Sequence, residues 1–510
     1  MKKFLVLLLA ICLAFSFVGC GASGDGGNEE DTSKKNIGIC VTNFGYGYSW
    51  LEKVSKAYEN QHKDVKINIT TTVLPYSILG QIEGGLTKFD MFFGTAQLYG
   101  YVENGYFLNL DNVFNATPDG ETKTVKEKLG AKAEDYRYLD HYCAFPYIES
   151  NCALLVNYTT LDTLLGKGNY ELPRTTNEMF TLSNRVRSAG GYAFGASCND
   201  NYYSYMLSTL WAQYDYDGYK NYWYGTTGTE GNRTLCANGE SLDQPGKLAA
   251  LKVIEQIMKK TNGYVIKEAS QMTFSEASLQ FCGQGYGFLD NKLVAFTPNG
   301  AWFENEARDF LEENPQDIGF EFFPVISTII NMVPDGSIEN DAELSALIKA
   351  IDSDSASLTG TGYEVTQADY DYVKRARFLS ESNTAAHQCG IVATTQYASV
   401  CEDFLTFLAS DVAAKIISKE LTGLTTPFYS TLSDDSIQKS DFVRRVLEYG
   451  EKAETLIHMY NQKMSMRGLA LVKDDKGWIP YLFQGTSTAD KIYHDDYEFY
   501  MSRWDYLSAG

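Results

Sequence analysis

Ile37-Gly38-Ile39-Cys40-Val41-Thr42-Asn43 is a short apolar run ending in turn residues, the pattern of a buried strand. Ser49-Trp50-Leu51-Glu52-Lys53-Val54-Ser55-Lys56-Ala57-Tyr58-Glu59 follows, with apolar residues at 50, 51, 54, 57 and 58. That is helical spacing, and Ser49 with Glu52 three residues on predicts an N-terminal capping box. Val65-Lys66-Ile67-Asn68-Ile69-Thr70 alternates and predicts a second strand. A helical stretch over 76–86 then precedes the strand-like Asp90-Met91-Phe92-Phe93. Strand–helix–strand–helix–strand at this spacing predicts right-handed crossovers and an α/β lobe built on a parallel sheet.

A second region of the same class runs over about 150–330, with helical patterns at 177–188, 202–213, 247–261 and 274–281. Its strand-like runs are Tyr286-Gly287-Phe288-Leu289 and Ile318-Gly319-Phe320-Glu321-Phe322-Phe323. The polar stretch 333–370 holds one helical pattern, 342–351, among loops. Gly390-Ile391-Val392-Ala393 returns to a strand and 398–410 to a helix. A long helical pattern over 440–464 leads into a Tyr/Asp-rich end. With no internal repeat and no sustained heptads, the chain reads as two α/β lobes.

Composition narrows the function. The chain has 510 residues, 44% of them hydrophobic, which excludes disorder. Its 43 basic and 65 acidic residues give a net charge of −22, which repels polyanions and argues against a nucleic-acid partner. No G-x-S-x-G, HExxH, P-loop or GxGxxG occurs, and five scattered histidines offer no triad. Glu149 and Glu304 could be named as paired carboxylates of a glycosidase, but so many acids make some pair inevitable. We therefore expect no enzyme, no metal and no cofactor.

The N-terminus carries an address. Met1-Lys2-Lys3 is followed by residues 4–17, apolar except for Ser16, which is a secretory signal too short to span a membrane comfortably. It ends in Phe17-Val18-Gly19-Cys20, followed by a polar, glycine-rich tether to about residue 35. Small residues beside a cysteine before such a tether resemble a bacterial lipobox, with Phe17 in place of the usual leucine. The resemblance implies cleavage before Cys20 and a diacylglycerol on its thiol; the alternative is an unlipidated signal with an incidental cysteine. Loss of residues 1–19 with their two lysines leaves a charge of −24. The eight later cysteines form no CxxC and no zinc-ligand spacing, and buried free thiols are the simplest reading. Export permits disulfides, so pairing stays open.

Five segments in order resemble the extracellular solute-binding proteins of carbohydrate ABC importers, the maltose-binding-protein-like group. Tyr58-Glu59-Asn60-Gln61-His62-Lys63-Asp64-Val65-Lys66-Ile67 is similar to the family's turn between first helix and second strand, without its proline. Phe89-Asp90-Met91-Phe92-Phe93 with the run 101–110 resembles its third strand and the segment after it, Phe89 replacing a proline. Phe145-Pro146-Tyr147-Ile148-Glu149-Ser150-Asn151 through Val156-Asn157-Tyr158, then Leu172-Pro173-Arg174-Thr175, is similar to its crossing strand. Asn299-Gly300-Ala301-Trp302 resembles a G-x-W segment, and residues 390–408 the strand and helix that return to the first lobe.

That resemblance implies a two-lobed periplasmic-binding-protein-like fold of class α/β, with hinge strands crossing near 155–158, 386–390 and 428–432. Lobe 1 would hold 36–155 plus 388–430, and lobe 2 would hold 156–387 plus 431–510. It implies a monomer on the outer face of the cytoplasmic membrane, held by its lipid alone, that passes an oligosaccharide to an ABC permease. A receptor for a polyamine, peptide or ferric complex is the rival within the same fold; an adhesin without transport lies outside it.

Sugars present C–H faces that stack on aromatic rings, and hydroxyls that bond amides and carboxylates. Ligands sit beyond the carboxyl ends of strands in open α/β sheets. The candidates are therefore Asn43 and Tyr46 after the first strand, and Thr95 and Gln97 after the third. Trp50 reads as helix core and Asp90 as structural. Tyr147, Glu149 and Asn151 precede the crossing strand, Glu149 being either a hydroxyl acceptor or a hinge salt bridge. Trp302 is the foremost stacking candidate against an ordinary core tryptophan. Residues 202–224 hold eight tyrosines, of which a core needs only part; there we expect an aromatic wall in which Trp223 and Tyr224, more than Trp211, face the ligand.

Overall fold

The computed structural model describes residues 33–94, 98–138, 140–199, 202–283, 292–353, 362–382, 387–421, 423–429, 434–456, 462–474 and 477–509. Nine strands form two main sheets. They are β1 (Lys35–Thr42), β2 (Val65–Thr72), β3 (Met91–Phe93), β4 (Phe145–Pro146), β5 (Cys152–Asn157), β6 (Tyr192–Phe194), β7 (Val294–Gly300), β8 (Ile318–Glu321) and β9 (Gln388–Ile391). The first sheet runs β2-β1-β3-β9-β4 and the second β8-β5-β7-β6. In the first, β1, β2 and β3 are parallel, with Ile37 opposite Ile67 and Ile39 opposite Met91. Strand β9 enters antiparallel from far along the chain, placing Ile391 opposite Met91. In the second, β5 is antiparallel to both neighbours and buried along its whole length, which is why Cys152 to Asn157 reads as an unbroken apolar run up to its final asparagine.

Six helices matter for the argument: α1 (Ser49–Gln61), α2 (Tyr202–Tyr214), α3 (Tyr216–Tyr224), α4 (Pro245–Met258), α5 (Asp441–Lys452) and α6 (Ala489–Met501). Helix α1 buries Trp50, Leu51, Val54 and Tyr58, so Trp50 is core as its spacing predicts. The expected capping box is absent. Tyr48 is the N-cap and Ser49 is already helical, with no side-chain cap bond. Asp90 is structural: its carboxylate accepts from Gly38 N at 2.8 Å and from the Thr395 hydroxyl at 2.5 Å, tying the start of β3 to the middle of β1 and to the turn after β9.

Three runs pass side by side between the sheets. The chain leaves the first sheet at Pro146 and enters the second at Cys152, ahead of the expected 155–158. The return run pairs Ser382 with Asn151, and the third pairs Thr425 with Glu149. Backbone bonds lock the first two, Tyr147 N to His387 O at 3.1 Å and Cys152 N to Glu381 O at 2.9 Å.

The helical pattern over 440–464 breaks after α5, where Glu454–Thr455 pairs with Leu379–Ser380. Beyond it, short helices wrap the second lobe and α6 lies against α4. Lys247 of α4 forms a buried ion pair with Asp496 of α6 at 3.0 Å, and its ammonium also faces the rings of Trp211 and Tyr222 at 5.7 and 5.2 Å. All eight described cysteines are buried. Burial pushes the Cys40 thiol up to about 11 and the Cys143 thiol to about 12, so they are inert hydrophobes. The strand-like run 286–289 lies outside the described residues, and among those described no helix is long and apolar enough to cross a membrane.

Candidate ligand cleft

Aromatic groups face each other where the lobes meet. On the first lobe the loop after β1 carries Phe44 and Tyr46. The Tyr46 hydroxyl is hydrogen-bonded to His387 Nδ1 at 2.7 Å, and the Phe44 ring stands edge-on to the same imidazole at 5.2 Å. Burial pulls the His387 pKa down to about 3, so the ring is neutral. Tyr147 is buried behind them, stacked on Trp50 at 5.2 Å and 16°. Asn43 is exposed on the same loop.

On the second lobe Trp302 follows β7. Its indole lies over Gly300, where an added Cβ would stand 2.1 Å from the ring. Tyr202 and Tyr205, one turn apart at the start of α2, each hold Trp302 at 6.2 Å between ring centroids, and Phe274 packs edge-on against Tyr202 at 5.4 Å. Trp302 is only 5% exposed, so it is more enclosed than a free stacking platform. Glu306, four residues on, accepts from the Tyr202 hydroxyl at 3.5 Å. Burial pushes its carboxyl up to about 7, with Tyr202 and Trp302 opposing. The two lobes touch here: a Cβ on Gly45 would stand 2.7 Å from Glu306 Oε1.

Other expected residues fall elsewhere. Glu149 pairs with Lys132 and is bonded through its backbone N–H to Thr425 O at 2.8 Å, the salt-bridge reading of that position. With Asn151 it lines a separate cavity of about 310 Å³ shared with Lys128, Thr426, Phe428 and Gly450, which Tyr46 and Trp302 do not line. Trp223 is fully buried, edge-on to Tyr222 at 4.9 Å. The C-terminal segment covers this group through Tyr222, whose hydroxyl donates to Ala470 O at 2.8 Å. Tyr224 is 36% exposed beside Arg233. Thr95 and Gln97 lie outside the described residues.

The cleft thus offers ring edges and faces, neutral hydrogen-bonding groups and one carboxyl, which suits a ligand that is apolar on its faces and polar on its rim. Residues 42–330 match the profile of the bacterial extracellular solute-binding proteins. The chain belongs to that family. The family binds solutes and is not a family of enzymes, and its fold accounts for the two lobes. A comparison with curated proteins gives no match. Among solved structures, this solute-binding protein is similar to the GacH receptor of Streptomyces glaucescens GLA.O, described unliganded and with acarbose. The TM-score is 0.62 at 15% identity over 93% of this chain and 99% of that one. It is also similar to RafE from Streptococcus pneumoniae in its apo form, with TM-score 0.61 at 13% identity over 92% and 98%. RafE in complex with raffinose matches with TM-score 0.60 at 14% identity over 93% and 100%.

Three groups of this cleft escaped the sequence. Glu306 had no local pattern to mark it, although its distance from Trp302 is one helical turn. Tyr202 and Tyr205 stood in the tyrosine-rich run but at the end opposite the favoured Trp223. His387 is a lone histidine whose partner is 341 positions away.

Proposed function

We propose that this protein is a lipid-anchored receptor outside a bacterial cell that captures an oligosaccharide between its lobes and delivers it to an ABC permease. The observation that carries the reading is the apposition of two aromatic groups, Phe44 and Tyr46 on one lobe and Tyr202, Tyr205 and Trp302 on the other, where Gly45 backs onto Glu306. Contacts from both lobes make closure depend on ligand, because only differential binding shifts an open–closed equilibrium. The glycans named for GacH and RafE support a carbohydrate ligand. Cys20 behind the apolar signal supports the anchor.

Within this reading lobe 1 comprises 36–151 with 388–430 and lobe 2 comprises 152–387 with 431–510, a few residues ahead of the expected boundary because β5 lies wholly in the second sheet. Tyr46, Tyr202, Trp302 and Glu306 are the proposed contacts, with Asn43 at the rim, Tyr147 as backing, and Thr95, Gln97 and Tyr224 retained from sequence. Glu149 and Asn151 are hinge residues. The monomer, and the absence of a cofactor, belong to the same proposal.

The test is a thermal-shift screen of the mature chain against glycans, amino acids, peptides and polyamines, since a ligand of the folded state raises the midpoint by mass action. A shift with one glycan series, recovered intact, supports the receptor. Shifts with peptides or simple polyamines alone keep the fold and overturn the sugar.

A further inference from the structure

The cavity of about 310 Å³ beside Glu149 has room that the aromatic cleft does not share. The central run between the lobes bonds the return run through Tyr147 and Cys152, and the third run through Glu149. His387 of the return run belongs to the aromatic cleft, where it holds Tyr46. The cavity instead takes one wall from the third run, residues 425–429, and none from the return run. Lys132 and Glu149 of the first lobe form a second wall, and Val446 and Gly450 of α5 in the second lobe form a third. Both lobes and the hinge therefore bound it.

Its lining is balanced in charge. Lys132 is paired with Glu149, and Lys128 with Glu121 and Asp411, so a ligand with a net charge would compete with pairs already made. What stays available is neutral bonding. Asn151 Oδ1 accepts from Ser380 Oγ at 3.5 Å, while its Nδ2 has no acceptor among the described residues. A Cβ on Gly450 would meet only that Nδ2, at 3.5 Å. The half-buried Thr425 hydroxyl and the spare donors and acceptors of the Lys132–Glu149 pair complete the polar side. Opposite them are Phe428, stacked through one face on Phe145 at 5.2 Å, and Val446. Hydroxyls on one side and C–H groups on the other are the two surfaces of a sugar ring. At the lower end of the usual ligand-pocket range of about 300–1,000 Å³, the cavity suits one ring and not a chain.

We infer that this hinge cavity is a second ligand site, for a single neutral pyranose, distinct from the cleft. The site stands on its own lining; its coupling to the cleft rests on the receptor reading. The cavity has this form in the arrangement where Gly45 backs onto Glu306. An occupant held by both lobes favours that arrangement, and by linkage the pyranose and the cleft ligand tighten each other.

The test is isothermal titration of the mature protein with glucose, galactose, mannose and xylose, and with glucuronate and glucosamine as charged forms. At least one neutral pyranose should bind wild type and Trp302→Phe alike, since the cleft is not involved. Gly450→Leu places its side chain in the cavity with no close contact at Cβ, and should weaken that pyranose about tenfold or more. Asn151→Ala should do the same if Gly450→Leu does not fold. Saturating pyranose should tighten the glycan found by screening several-fold in wild type and leave it unchanged in Gly450→Leu. Binding that Trp302→Phe removes and Gly450→Leu keeps overturns the hinge site, as does failure of all four neutral sugars to bind. Tighter binding of glucuronate or glucosamine, lost in Gly450→Leu, overturns the neutral class. A glycan affinity that saturating pyranose does not alter overturns the coupling. Failure of every screened glycan, with the pyranose still bound, overturns the receptor reading and supports the hinge site.

Discussion

Gly45→Val isolates lobe closure from everything else. A Cβ at this position would stand 2.7 Å from Glu306 Oε1, 2.8 Å from Cγ and 3.2 Å from Cδ. Real carbon contacts do not reach the first two values, so either Glu306 moves or the lobes part. Glu306 is restrained by Tyr202 and by burial, and the branched valine adds two methyls to the same gap. Overpacking of this kind costs about 1–3 kcal/mol, and on the receptor reading it falls on the arrangement in which these two loops meet, which the unliganded protein can leave by opening. Affinity for the glycan found by screening should therefore fall by about 5- to 150-fold, with the melting temperature of the unliganded protein unchanged. Small-angle scattering should show the liganded variant staying more open than wild type, and Glu306→Ala in the same chain should restore closure. Wild-type affinity with wild-type scattering would show that these two loops do not meet on closing.

The remaining predictions concern stability. Lys247→Met leaves Asp496 buried without its cation and should cost about 3–5 kcal/mol in urea unfolding, most of it recovered when Asp496→Leu is added. Trp302→Ala, at a site 5% exposed and packed by two tyrosines, should destabilise by about 3–5 kcal/mol as well as weaken ligand, whereas Trp302→Phe should keep the fold and lose part of the affinity. Burial pushes Glu381 from its ordinary 4.5 up to about 8. Between those values the folded chain holds a proton that the unfolded chain has released, so its contribution is full below 4.5 and is lost as pH rises to 8. Glu381→Gln should flatten that fall in a pH series of urea curves. His387, depressed from 6.5 to about 3, acts in the opposite sense, removing stability as pH falls from 6.5 towards 3.

The fold was legible where the pattern is local. Helix 274–281 and the strands around Ile37 and Val65 emerge at nearly their expected bounds because spacing alone specifies them. The 440–464 pattern misled because apolar spacing persists after α5, while the chain turns at Ala453 to pair with Leu379–Ser380; that partner is invisible locally. The tyrosine-rich run misled for a related reason. Trp223 and its neighbours need a cover, and the cover is the C-terminal segment, whose docking no spacing announces. The Lys247–Asp496 pair is equally silent, since neither residue stands out among so many charges. At the cleft, Tyr46 was singled out because its loop follows the first strand, and Trp302 because Asn299-Gly300-Ala301-Trp302 resembles a G-x-W segment. Glu306, His387 and Glu381 matter through contacts that only the folded chain creates.

Strand β9 has a further consequence in the order of events. The first sheet is incomplete until residues 388–391 arrive to fill the gap between β3 and β4, and Met91 must wait for Ile391. Closing so long a loop is slow, and an open sheet edge rewards nothing until it is closed. The early lobe therefore cannot finish while most of the chain is still unmade. Under the proposed export behind the apolar signal, this late strand would act as a timer, keeping the leading half pliable until its last partner has followed it across.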